Sequence, residues 1–85
     1  MDQKIADGVK RVLRKVLQVD KIDEDVNFSE TYKLDSLSTL ELIAELENEL
    51  GIRIPNEAIG KISTFKNAVR TLEELKGKQK AEEKI

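Results

Sequence analysis

Chemistry in this chain must be done with hydroxyls, carboxylates and amines, because its 85 residues include neither cysteine nor histidine. The missing cysteine removes thiolate nucleophiles, disulfides and thiolate metal sites. The missing histidine removes the commonest general base and leaves zinc only carboxylate ligands. No spacing of Asp and Glu stands out as a cation cage. One hydroxyl is placed where it could matter. Ser36 follows Asp35 and precedes Leu37 at the head of the run 36–50, SLSTLELIAELENEL. Serine at neutral pH is a poor nucleophile without an adjacent base, and none is evident beside Ser36. The chain is therefore not read as an enzyme, and any group carried by Ser36 must be installed by another protein. Asp35 and Ser36 are both favoured helix-start residues. A helix N-terminus carries roughly half a positive charge, so a phosphate on Ser36 would sit favourably. The plain alternative is a serine that only caps its helix.

The element behind Ser36 is the best helix in the sequence. At about 100° per residue, Thr39, Leu42, Ile43, Leu46 and Leu50 share one face, the spacing of a core seam. Leu37, Glu41, Ala44, Glu45 and Asn48 fall on the opposite, solvent face, with Glu47 nearer the core. Ahead of it, Ile5, Val9, Val12, Leu13 and Val16 predict a helix over 3–17, with Lys10, Arg11, Arg14 and Lys15 on its other side. Gly8 interrupts that helix at a cost of about 1 kcal/mol relative to alanine, so the first turn is expected to fray. Residues 18–35 form a long connection, anchored by Val19, Ile22, Val26, Phe28, Tyr32 and Leu34. It reads as a loop strapped across the bundle with room for one short turn.

Beyond Leu50, Gly51 is placed to end the helix in a left-handed conformation. Ile52-Arg53-Ile54 alternates like a short strand but has no visible pairing partner, so it reads as extended loop. Pro55 opens a short helix near 56–61, limited by Gly60. Ser63 or Thr64 then caps a last helix to about Leu75, with Phe65, Ala68, Val69, Leu72 and Leu75 inward. Residues 76–85, KGKQKAEEKI, lack an apolar face and are expected to fray as a charged tail. The predicted architecture is all-α: one domain over residues 1–75, built as a small bundle of three main helices and one short one.

Charge is arranged in blocks. Net charge is −2, but residues 1–17 carry +3, residues 18–62 carry −7 and residues 63–85 carry +2. The acidic middle would steer basic partner surfaces and repel nucleic acid. The basic face of the first helix reads as solvated surface, available to pair with that acidic middle. No apolar run approaches the ~18 residues of a membrane span and no signal peptide is visible, so the expected compartment is the cytoplasm.

Residues 28–72, with Asp35-Ser36-Leu37, Glu41-Leu42, Leu46-Glu47, Ile54-Pro55, Lys61-Ile62 and Phe65, resemble an acyl carrier protein. Asp-Ser-Leu alone is a weak motif. At the head of an acidic amphipathic helix, with Ile-Pro about eighteen positions on, it becomes specific. The resemblance implies that Ser36 receives 4′-phosphopantetheine from a phosphopantetheinyl transferase using coenzyme A and magnesium. Asp35 would contribute to recognition by that transferase. The pantetheine thiol would then hold acyl intermediates as thioesters for fatty acid synthesis or a related specialised acyl pathway. The resemblance further implies that the helix from Ser36 docks partner enzymes with basic surfaces, through Leu37, Glu41, Ala44, Glu45 and Asn48. Cargo would be sheltered among the helices, with Leu46, Ile54, Ile59 and Ile62 as lining residues whose plainer role is core packing. A monomer is expected, with no resident metal.

Two departures from the family pattern bear on partners. Lys33 and Leu34 stand where carrier proteins usually place glycine and a small residue, and Ser38 replaces a frequent acidic residue. Glycine at 33 would permit an unusual backbone dihedral that lysine takes only at a cost, so the loop entering Ser36 is expected to differ in shape. The alternatives are a D-alanyl or peptidyl carrier, although peptidyl carriers usually place a glycine pair before the serine, or a helical interaction domain that is never modified.

Overall fold

Three long helices and two single turns account for the regular structure in the computed structural model, which describes residues 2–83. The first helix, α1, is Gln3–Leu17. Its start does not fray: Asp2 caps it, accepting from the backbone N–H groups of Lys4 at 2.9 Å and Ile5 at 3.3 Å. Gly8 has a use that its helix propensity hides. It is buried, and a Cβ built on it would stand 2.9 Å from Leu50 Cδ2, so the missing side chain lets the two helices approach.

The second long helix, α3, is Ser36–Leu50, as the periodicity predicts, and it ends on Gly51 with φ of 65°. Leu42, Ile43 and Leu46 are buried on its inner face, with Leu50 half-buried at the end. Gly8 meets Leu50, Arg11 pairs with Glu49 and Lys15 pairs with Glu45 at 3.0 Å, so α1 and α3 run antiparallel. The basic face of α1 thus meets the acidic middle of the same chain. Each exposed pair of this kind is worth only ~0.2–1 kcal/mol, so these charges set register more than stability.

The connection between α1 and α3 is pinned rather than loose. Its one helical turn, α2 (Phe28–Thr31), is capped by Asn27, which accepts from the Glu30 N–H at 3.1 Å. Phe28 is buried, and its N–H donates to the Ser63 carbonyl at 2.8 Å. Lys10 sits 5.3 Å above the Phe65 ring and pairs with Glu24 at 3.6 Å, while Lys66 pairs with Asp25 at 3.6 Å. A strap of this length is tolerable because its backbone and its apolar anchors both have partners.

The short helix α4 is Asn56–Ile59, with Gly60 as its C-cap, two residues shorter than the expected 56–61. Thr64 begins the last helix, its Oγ1 accepting from the Asn67 N–H at 3.2 Å. That helix, α5, is Phe65–Glu83 and so continues well past the expected end near Leu75. A seam of apolar residues is needed to dock a helix, not to prolong one. Lys, Gln, Ala and Glu are good helix formers, and adding residues to an existing helix avoids the unfavourable nucleation step. Of the expected frayed tail, residues 84–85 lie outside the described residues. The Asp2 N–H donates to Glu73 at 2.7 Å while Lys10 covers Phe65, so α5 is also antiparallel to α1.

One core results, built from Ile5, Val9, Val12 and Leu13 of α1, Leu42 and Leu46 of α3, and Phe65, Val69 and Leu72 of α5, with Phe28 plugging it from the strap. No strand is present among the described residues.

Candidate functional site

Ser36 is the first residue of α3 and is exposed. The chain enters it through a strained step. Lys33 takes a φ of 51°, in the left-handed region that favours glycine. Lysine therefore does not avoid the dihedral that glycine accepts freely; it adopts it, and the surrounding structure must hold it there. Half-buried Leu34, packed against the core, is one anchor that does so. Asp35 then caps the helix with extended backbone, its Oδ1 accepting from the Ser38 N–H at 2.7 Å.

That cap has an electrostatic consequence. Hydrogen bonds from the Ser38 backbone N–H, and next from the Ser38 hydroxyl, hold the Asp35 carboxyl below its ordinary value. Asp35 is thus a carboxylate at neutral pH, fixed beside an exposed hydroxyl at the positive end of a fifteen-residue helix. Ser38, which stands where an acidic residue is frequent, is half-buried and committed to this cap.

The outer face of α3 carries the proposed docking residues with one reassignment and one addition. Leu37 is 66% exposed. Glu41, Ala44 and Asn48 are exposed along the same stripe. Glu45 is half-buried and held by Lys15, so its charge is partly neutralised within the chain. Leu40 completes the stripe. It is 60% exposed and lies about 60° round the helix from Leu37. Position alone would have marked it, since it is three residues from Leu37 and next to Glu41. Leu37 and Leu40 together make an apolar edge immediately beside Ser36, rimmed by Glu41, and among the described residues they are the two large hydrophobic side chains left exposed.

The four residues expected to line a cargo site lie together on the inner side. Leu46, Ile54 and Ile62 belong to the buried core, and Ile59 is half-buried and packed against it. The segment carrying Ile54 is held by α3 itself, because the Glu47 carboxylate accepts from the Ile54 N–H at 2.9 Å. Glu47, nearer the core, is therefore a structural acceptor. Among the described residues, no group of three or more Asp or Glu is arranged to hold a metal ion, and no helix is long and apolar enough to cross a membrane.

A family model described as phosphopantetheine attachment site covers residues 7–72, from the first half of α1 to Leu72 in α5. The matched region contains Ser36, the whole of α3 and the inner-side residues just named.

Proposed function

This chain belongs to the phosphopantetheine attachment-site family, a family of carriers that bind a 4′-phosphopantetheine prosthetic group, and on that footing we propose that Ser36 is the attachment residue of an acyl carrier serving fatty acid synthesis or a related specialised acyl pathway. The observation that carries the assignment is the placement of Ser36: an exposed hydroxyl on the first residue of α3, within the matched region and beside an ionised Asp35. The residues fit the group. The oxygen is accessible, the helix end favours a phosphate, and the adjacent carboxylate is tied back onto the Ser38 N–H rather than lying free against the site.

The division of labour follows from what the chain lacks. The group supplies a thiol when bound, and a thiol can hold an acyl chain as a thioester; the chain itself has no cysteine. The Asp35 carboxylate is tied into the helix cap by the Ser38 N–H, so removing the Ser36 proton falls to the phosphopantetheinyl transferase, which also supplies coenzyme A and magnesium. Ser36 offers the oxygen, α3 stabilises charge at its N-terminus, and Asp35 gives the transferase a fixed negative charge to recognise. Leu37, Leu40, Glu41, Ala44 and Asn48 present the surface on which that enzyme and acyl-processing enzymes with basic surfaces dock, with Glu45 contributing less because Lys15 holds it. Leu46, Ile54, Ile59 and Ile62 yield to admit an apolar chain. The carrier domain is residues 1–75, and the rest of α5 is an addition to it.

The test is intact-mass measurement after incubation with coenzyme A and a broad-specificity transferase. One phosphopantetheine should be added to the wild type and to Ser38→Ala, and none to Ser36→Ala, with helical circular dichroism nearly unchanged in both variants. A wild type that several transferases leave unmodified would return the chain to the reading of an unmodified interaction domain.

A further inference from the structure

Ser36 and Leu50 are the two ends of α3, so the far end of that fifteen-residue helix stands about 21 Å from the proposed attachment residue. At that far end runs the extended segment 52–54. An extended segment without a strand partner must satisfy its peptide groups some other way, and here side chains do it. The Ile54 N–H donates to the Glu47 carboxylate at 2.9 Å. Arg53 is gripped by Gln79 of α5: its N–H donates to Gln79 Oε1 at 2.9 Å, and its carbonyl accepts from Gln79 Nε2 at 2.7 Å. A primary amide is the neutral side-chain group that offers one donor and one acceptor side by side, so Gln79 pairs with Arg53 as a neighbouring strand's peptide would.

The pairing holds a wall. Alternation along 52–54 turns Ile52 and Ile54 into the core with Leu46 and Ile62, and leaves Arg53 exposed toward α5. Outside the wall lies an open groove lined by Ile54, Pro55, Leu75 and Gln79, so Ile54 separates that groove from the core. Gln79 lies four residues beyond Leu75, where the apolar seam of α5 has ended, and its neighbours Lys76, Gly77 and Lys78 are exposed. Among the described residues, the grip on Arg53 is the hydrogen-bonded contact that this part of α5 makes with the rest of the molecule.

We propose that Gln79 is a positioning residue that holds the 52–54 wall against the far end of the core, and thereby sets the longest apolar chain that the core accepts. The inference rests on the reading of Leu46, Ile54, Ile59 and Ile62 as cargo-lining residues. With the grip in place, a chain advancing through the core meets Ile54 and stops. With it released, the wall swings toward the groove and the same core takes a longer chain. Gln79→Ala removes both hydrogen bonds. Gln79→Glu keeps an acceptor for the Arg53 N–H but sets a second acceptor against the Arg53 carbonyl.

Two measurements test this on the whole chain. The first is residue-resolved amide exchange of the unmodified protein. In Gln79→Ala the Arg53 amide should exchange about tenfold faster or more, as expected for loss of a local closing contact, while core amides such as Leu13 and Val69 keep their wild-type protection. The second is the melting temperature of the protein loaded with saturated acyl chains of roughly six to sixteen carbons, where a sheltered chain stabilises the native state. The wild type should show a chain length of maximal stabilisation, and both Gln79 variants should shift that maximum to longer chains. Unchanged Arg53 exchange in Gln79→Ala would overturn the grip. Faster exchange with an unmoved maximum would overturn its role in setting length. A wild type that no chain stabilises would sink the sheltering reading beneath the proposal, and the proposal with it.

Discussion

Lys33 is where one substitution should improve the molecule. A left-handed conformation brings Cβ close to the following carbonyl oxygen and costs a non-glycine residue roughly 1–2 kcal/mol. Lys33 has a φ of 51° and is exposed, so it bears that cost without a buried side chain to offset it. Glycine would remove the clash. It would also give the unfolded chain more freedom to lose, which is worth roughly 0.5–1 kcal/mol against folding. Taking the middle of each range, the difference leaves Lys33→Gly more stable by about 0.75 kcal/mol. For a domain of this size that corresponds to a rise of about 3–6 °C in melting temperature. Thermal and urea unfolding followed by circular dichroism would measure it. Lys33→Ala serves as the control, since it keeps the Cβ and should stay within about 0.5 kcal/mol of the wild type. A Lys33→Gly variant less stable than Lys33→Ala would refute the argument, because glycine would then be acting as it does at an ordinary negative φ.

Gly8→Ala should be close to neutral in urea unfolding, because the ~1 kcal/mol gained in helix propensity is spent displacing Leu50 Cδ2, 2.9 Å from the new Cβ. Gly8→Leu should cost about 1–3 kcal/mol as overpacking that no shift of Leu50 absorbs, and a full gain of ~1 kcal/mol in Gly8→Ala would mean α1 and α3 are not this close. Asp35 is held below its ordinary value, so its stabilising contribution is complete above about pH 4 and is lost as pH falls through the folded-state value. The stability gap between wild type and Asp35→Asn should therefore narrow as pH is lowered from neutrality toward 3, and a gap independent of pH would contradict the cap. For docking, Glu41→Lys should lower transferase kcat/KM several-fold at low salt with the deficit shrinking as salt rises, whereas Leu37→Ala and Leu40→Ala should lower it with little salt dependence. Glu45→Lys should act less than Glu41→Lys, and wild-type rates for all four variants at low salt would remove this face as the transferase's docking surface.

What the sequence makes legible here is what repeats. The seams of α1, α3 and α5 stand out because a period near 3.6 residues recurs over several turns, and burial follows that period at Val9, Leu13, Leu42, Leu46, Val69 and Leu72. Asp35 and Ser36 are legible because capping is local chemistry, settled within three residues. Interactions that join distant parts of the chain leave no such mark. Gly8 reads as a defect in its own helix and becomes useful only when Leu50, forty-two positions away, is set beside it. The end of α5 is missed for a related reason. An apolar face shows where a helix docks, and residues 76–83 are helical without one. Their single described tie to the body is an amide reaching back to Arg53, twenty-six residues earlier. Leu40 is different in kind, because the periodicity contains it. It stands outside the core seam, where a single leucine carries no signal of its own. Exposed leucines are common singly. Two of them one turn apart, beside the Ser36 hydroxyl proposed as the attachment site, form a continuous apolar edge of the kind a partner surface covers.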